Sequence, residues 1–166
     1  DDLGGTTGTL GRSQSAMVFA SPYNPYQAAP IICYESIYSN YVTSYVRAGA
    51  NILTVITNDG WWGKTPGYQQ HMSMSRLRAV ENRLWVARSA NTGISCFINP
   101  AGEVLQPQPW DTKAAIKMNI PTQHTATFYT TQGDWMSRLA WPASIALLLL
   151  ALLKRWLPWG QKTNRS

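Results

Sequence analysis

Two hydrophobic rhythms alternate along the 166-residue chain. Ala29-Pro30-Ile31-Ile32-Cys33 is a short apolar run after a polar stretch, which predicts a buried strand ending at the cysteine. From Glu35 the spacing changes: Ile37, Tyr41 and Tyr45, with Tyr38, Val42 and Val46, recur at helical intervals, predicting one helix from Glu35 to a stop near Gly49. Asn51–Thr57 is β-branched and predicts a central strand. The turn-rich loop 58–67 separates it from a second helix, about Gln69 to Arg83, with an apolar face of Met74, Leu77, Val80 and Leu84. Strands at Leu84–Ala90 and Ile94–Ile98 flank Asn91-Thr92-Gly93, and after a turn at Pro100-Ala101-Gly102 a further strand is predicted at Ala114–Ile120. Residues 1–29 read as loop, with a short strand at Ala16–Phe19. Strands alternating with helices predict an α/β layered domain.

The last apolar segment differs in kind. Leu139–Leu153 carries no charge over 15 residues, shorter than the ~20 that span a bilayer. Trp135 on one side and Trp156 and Trp159 on the other extend it to interfacial positions, and Lys154 and Arg155 can snorkel. A buried core helix is the alternative, but unbroken leucines show no amphipathic face. The organisation expected is an α/β domain over residues 1–134, a membrane helix over 135–159 and a basic tail over 160–166. By the positive-inside rule the tail is cytoplasmic and the α/β domain lies outside the cytoplasm.

Composition narrows the function. The chain is 45% hydrophobic and 13% charged, well below the usual charge content of about 25%. Four of its 14 cations, Lys154, Arg155, Lys162 and Arg165, lie beyond the apolar run; the ten others face eight Asp and Glu with no basic stripe, so nucleic-acid binding is not expected. Two cysteines and two histidines, His71 and His124, make neither a disulfide framework nor a zinc site, and no metal or cofactor is expected.

Cys33 stands where a strand hands over to a helix. A thiol there is lowered by helix-end N–H groups, its thiolate attacks carbonyls, and the N–H of Tyr34 is placed to receive the oxyanion. By itself such a cysteine is more often a small core residue, the reading that Cys96 also receives. The surrounding words decide for chemistry. Pro30-Ile31-Ile32-Cys33-Tyr34-Glu35 resembles the nucleophile segment of the nitrilase superfamily, and Cys-Tyr-Glu its apolipoprotein N-acyltransferase branch. Thr57–Gly63, His71, Arg78–Arg83, Arg88–Ser95, Thr127–Thr130 and Gly133-Asp134 follow in that family's order.

The resemblance implies part of a four-layer αββα sandwich followed by a transmembrane helix, in a bacterial inner membrane. It implies a Glu-Lys-Cys triad in which Cys33 takes an acyl group from the sn-1 ester of a phospholipid as a thioester. The group then passes to the N-terminal amine of a diacylglyceryl-cysteine apolipoprotein. Cys33 matches the nucleophile, and Tyr34 and Glu35 match required positions beside it. The family's Glu and Lys precede the cysteine, whereas here only Asp1 and Asp2 are acidic before Cys33 and every lysine follows it. A truncated piece of the enzyme, inactive alone, is therefore expected.

Other residues carry two readings each. Trp61 and Trp62 form a lid or acyl-chain wall, rest on a membrane surface, or pack on the core. His71 is a polar contact near substrate at a helix start, and Glu35 orients the site or favours its helix end. Arg78 and Glu81 read as an ion pair fixing a helix near the site. Asn58 belongs to the turn-rich loop and Asn91 to a simple turn. The rival functions are a nitrilase-type amidase, in which water releases the acyl group, and a non-catalytic membrane-tethered remnant.

Overall fold

The computed structural model describes residues 13–122 and 125–156. Six strands form a single sheet in sequence order: β1 (Phe19–Ala20), β2 (Gln27–Ile32), β3 (Ile52–Thr57), β4 (Val86–Ala90), β5 (Cys96–Ile98) and β6 (Val104–Leu105). β2, β3 and β4 are parallel, and antiparallel pairs close both edges. The parallel strands need crossover connections, which α1 (Ser39–Arg47) and α2 (Pro66–Asn82) supply. Both helices lie against one face, where Ala29, Ile31, Leu53, Val55, Val86, Cys96 and Ile98 are sealed with Val42, Val46 and Ala79. Each large aliphatic side chain so buried contributes on the order of 1.5–3 kcal/mol. The opposite face is open: Ile32 and Ile56 are 52% and 54% exposed.

Several sequence expectations are corrected. The helix expected from Glu35 is two elements, a 3-10 turn over Cys33–Ile37 and then α1, because Tyr38 is extended and breaks the register. Arg47, near the end of α1, donates to the carbonyls of Thr130 and Thr131 in α3 (Phe128–Gln132). The strand expected at Ala114–Ile120 is irregular chain; Ala114–Ile116 lies in a recess over β3, β4 and β5 without joining the ladder. The first strand sits at Phe19–Ala20 rather than 16–19. α2 starts earlier than expected, at Pro66 after the Thr65 cap, and ends where Arg83 turns left-handed.

The inward face of α2 is the largest correction. Leu77 and Val80 are half exposed, whereas His71, Ser75, Arg78, Ala79 and Asn82 are buried. The helix turns a polar face inward because His71, Ser75, Arg78 and Asn82 each find at least one hydrogen-bond partner there, as buried polar side chains require.

The last helix among the described residues, α4 (Trp135–Trp156), is apolar, and its residues 135–154 are exposed. At 22 residues it is about 33 Å long, enough to cross a hydrocarbon core of about 30 Å. Residues 157–166, including Trp159 and the basic tail, lie outside the described residues, as does His124.

Candidate active site

Cys33 follows the last residue of β2, at the carboxyl edge of the parallel strands where α/β sheets bind ligands. Its φ is +50°, a left-handed conformation costing a non-glycine residue about 1–2 kcal/mol. Two hydrogen bonds hold it there: Glu35 Oε2 accepts the Ile32 N–H at 2.7 Å and Ser36 Oγ donates to the Cys33 carbonyl at 2.8 Å, with His71 Nε2 packed 3.2 Å from that carbonyl. Sharp reversal of the chain turns the cysteine out of the strand direction. The short turn also corrects the expected activation: no long helix begins at Cys33, so the helix-end field there is small.

Beneath the cysteine lies a buried polar cluster. Asp59, fully buried, accepts from Thr57 Oγ1 at 2.8 Å, from His71 Nδ1 at 2.8 Å and from Arg88 Nη2 at 2.7 Å. A carboxylate only accepts, so Nδ1 carries the hydrogen on that side of the ring. His71 Nε2 lies 3.0 Å from Ser36 Oγ, so the imidazole bridges Asp59 to the turn that carries the cysteine. Burial alone would raise the Asp59 carboxyl, but His71, Arg88 and Thr57 together hold it below its usual range. Arg88 also donates to Ser75 at 3.0 Å. Gly93 closes the cradle: with φ +129°, its place leaves no room for a side chain, since a Cβ there would stand 2.5 Å from Asp59 Oδ2.

The remaining expected residues fall around this core. Tyr34 and Trp62 lie with His71 in a recess of about 190 Å³, with ring centroids 5.8 and 5.3 Å from the imidazole. Trp62 rests on Gly67, while Trp61 is 86% exposed and points away. His71 itself is 3% exposed, with both ring nitrogens engaged. Glu35 accepts also from Tyr41 at 3.1 Å; Tyr41 is pushed well above the usual tyrosine range by burial, then by Tyr45 and Glu35. Arg78 donates to the Ile37 carbonyl at 2.9 Å and to Glu81 at 2.8 Å, bracing the end of the cysteine turn. Burial lifts the Glu81 carboxyl despite Arg78. Asn58 caps the loop turn through Gly60, and the Asn91 N–H binds the Thr57 carbonyl. Cys96 is sealed in the core and its thiol is pushed up to about 11 by burial. Among the described residues no His, Cys, Asp and Glu cluster is shaped to hold a metal.

Thr57, Asp59, Arg88 and Gly93 lie in words that carry the family resemblance but receive no role of their own from sequence, and Ser36 and Ser75 receive none. Arg88 carried a readable signal: it has the same strand parity as buried Val86, and a cation there demands a buried anion.

Residues 6–129 match the carbon-nitrogen hydrolase family. The chain is 38% identical over 146 residues to the apolipoprotein N-acyltransferase of Chlorobaculum tepidum, covering 87% of this chain and 27% of that protein. The enzymes of the same name from Geobacter metallireducens and Bdellovibrio bacteriovorus are 38% and 36% identical, with 63% and 75% of this chain covered and 20% and 23% of theirs. The chain thus spans about a quarter of the length of these relatives. Among solved structures it resembles a mutant amidase from Nesterenkonia sp. AN1 carrying acrylamide at its active-site cysteine (TM-score 0.57, 19% identity, 80% of this chain and 51% of that one). It also resembles a carbon-nitrogen hydrolase from Helicobacter pylori G27 (TM-score 0.53, 14% identity, 62% and 42%). At those identities the likeness is of fold. By the family match the chain belongs to the carbon-nitrogen hydrolases, and its sequence is similar to the apolipoprotein N-acyltransferases within them.

Proposed function

We propose that this chain supplies the nucleophile of a membrane-bound acyltransferase that acylates the N-terminal amine of apolipoproteins, with a phospholipid as acyl donor. The observation that carries the reading is Cys33, held left-handed at the carboxyl edge of the parallel sheet with a hydroxyl 3.3 Å from its sulfur. The names of the similar curated proteins support the reaction class.

In the first step the Cys33 thiolate attacks the ester carbonyl. Collapse of the tetrahedral adduct releases the lysophospholipid alkoxide, which takes up a proton, and leaves a thioester. In the second, the apolipoprotein amine attacks that thioester, the thiolate leaves, an amide forms, and the amine's proton passes to a base. Tyr34 and Trp62 line the recess over His71, and Trp61 presents an apolar surface to lipid. His71, Arg78, Glu81, Asn58 and Asn91 hold the turn and loop in place. α4 spans the inner membrane, with the domain on the periplasmic side and the C-terminus cytoplasmic.

The likeness of fold to an amidase favours one rival, hydrolysis, in which water takes the place of the amine. Mass spectrometry of lipoproteins separates the two. In cells depleted of their own acyltransferase, the full-length gene product is expected to yield triacylated lipoproteins and its Cys33→Ala variant none. Triacylation by Cys33→Ala, or free fatty acid as the sole acyl product of the intact protein, overturns the proposal.

A further inference from the structure

The inward positions of β3 run Leu53, Val55, Thr57, so a hydroxyl occupies the third place of an otherwise aliphatic row. Register puts it beside the cysteine: Ile32 and Ile56 are Cα partners, Thr57 is the next residue of β3, and Cys33 is the first residue after β2. The Thr57 side chain is 5% exposed, with Oγ1 3.3 Å from Cys33 Sγ and 2.8 Å from Asp59 Oδ1. A threonine hydroxyl has one hydrogen to donate. Both neighbours cannot receive it together.

We infer that Thr57 is a catalytic hydroxyl whose single hydrogen moves between two seats, Asp59 when Cys33 is a thiol and the sulfur when Cys33 is a thiolate. The inference rests on Cys33 being the nucleophile. With the thiol present, S–H donates to Thr57 Oγ1 and Thr57 donates onward to Asp59, so every hydrogen in the chain is used. With the thiolate present, rotation about the Thr57 C–O bond delivers the same hydrogen to the sulfur. Asp59 tolerates the loss because His71 Nδ1 and Arg88 Nη2 remain on its two oxygens. No bond is made or broken at Thr57, and the proton released by the thiol leaves to the base.

Such a donor serves both halves of a thioester mechanism, since negative charge is on sulfur before the first attack and returns to it when the thioester is cleaved. Hydrogen bonds to charged groups are the strong ones, which sets the expected effect at about tenfold or more. Asp59, His71 and Arg88 act through Thr57 and are positioning residues.

The test uses the full-length membrane protein and iodoacetamide, a neutral reagent that labels the thiolate, with mass-spectrometric mapping of Cys33. Thr57→Val, which keeps the shape and removes the hydroxyl, is expected to slow labelling by about tenfold or more. Thr57→Ser is expected to restore it to within about threefold of the parent. Acyl-thioester formation should fall in parallel at saturating phospholipid, with the half-saturating concentration unchanged. Buried Cys96 reports folding, as it stays unlabelled in an intact core; if Thr57→Val exposes it, Thr57→Ala is read in its place. Labelling of the hydroxyl-free variant at the parental rate, or failure of Thr57→Ser to rescue, overturns the inference. Slowed labelling in a protein whose parent transfers no acyl group refutes the acyltransferase reading and leaves the hydroxyl's role standing.

Discussion

Replacing Asp59 by asparagine preserves the shape of the cradle and removes its charge. Arg88, 2% exposed, then keeps a guanidinium in the core with no counter-ion, and its Nε already has no hydrogen-bond partner. Breaking a buried pair from one side costs about 3–5 kcal/mol, because the stranded charge cannot be rehydrated. For a domain of this size, at about 3 °C per kcal/mol, Asp59→Asn is expected to lower the melting temperature by about 10–15 °C. Adding Arg88→Met removes the stranded charge and should recover about half of that loss. The sign of the pH dependence follows from the depressed Asp59 carboxyl. Its folded value is below the ordinary 3.8, so its contribution is full above that value and is lost as pH falls through the folded one. Circular-dichroism melts of the detergent-solubilised protein between about pH 3 and 7 should therefore show an acid decline that Asp59→Asn flattens. A loss under about 1 kcal/mol, or a double variant no more stable than Asp59→Asn, would refute the account of the cluster as a coupled buried pair.

Three further outcomes are expected. Gly93→Ala combines a strained φ of +129° with a Cβ 2.5 Å from Asp59 Oδ2, and should cost at least about 2 kcal/mol in the same melts. Cys33→Ala and Cys33→Gly should both be inactive, yet the glycine variant should be the more stable by about 1 kcal/mol because it relaxes a φ of +50°; equal stability would show the turn is unstrained. Leu148→Arg puts a charge mid-way along α4 at a cost of about 2.5–3.5 kcal/mol for insertion, and alkaline carbonate should then extract protein that otherwise stays with the membrane pellet.

The sequence determined the elements with a strong rhythm. Ile31-Ile32 before Cys33, the β-branched run ending at Thr57 and the leucines of α4 each imposed one conformation, because burial of apolar side chains dominates locally. Through the words around Cys33 it also singled out the cysteine on which the proposed reaction rests. Tertiary structure alone decided what lies beneath that cysteine. Leu77 and Val80 had the stronger claim on the core by hydrophobicity, yet α2 buries His71, Ser75 and Arg78 instead. A polar side chain goes inside only where a partner from a distant segment meets it, and the meeting of Asp59, His71 and Arg88 depends on crossover geometry that no local pattern records. The break at Tyr38 and the left-handed Cys33 have the same origin: hydrogen bonds from Glu35 and Ser36 outweigh a local preference of about 1–2 kcal/mol.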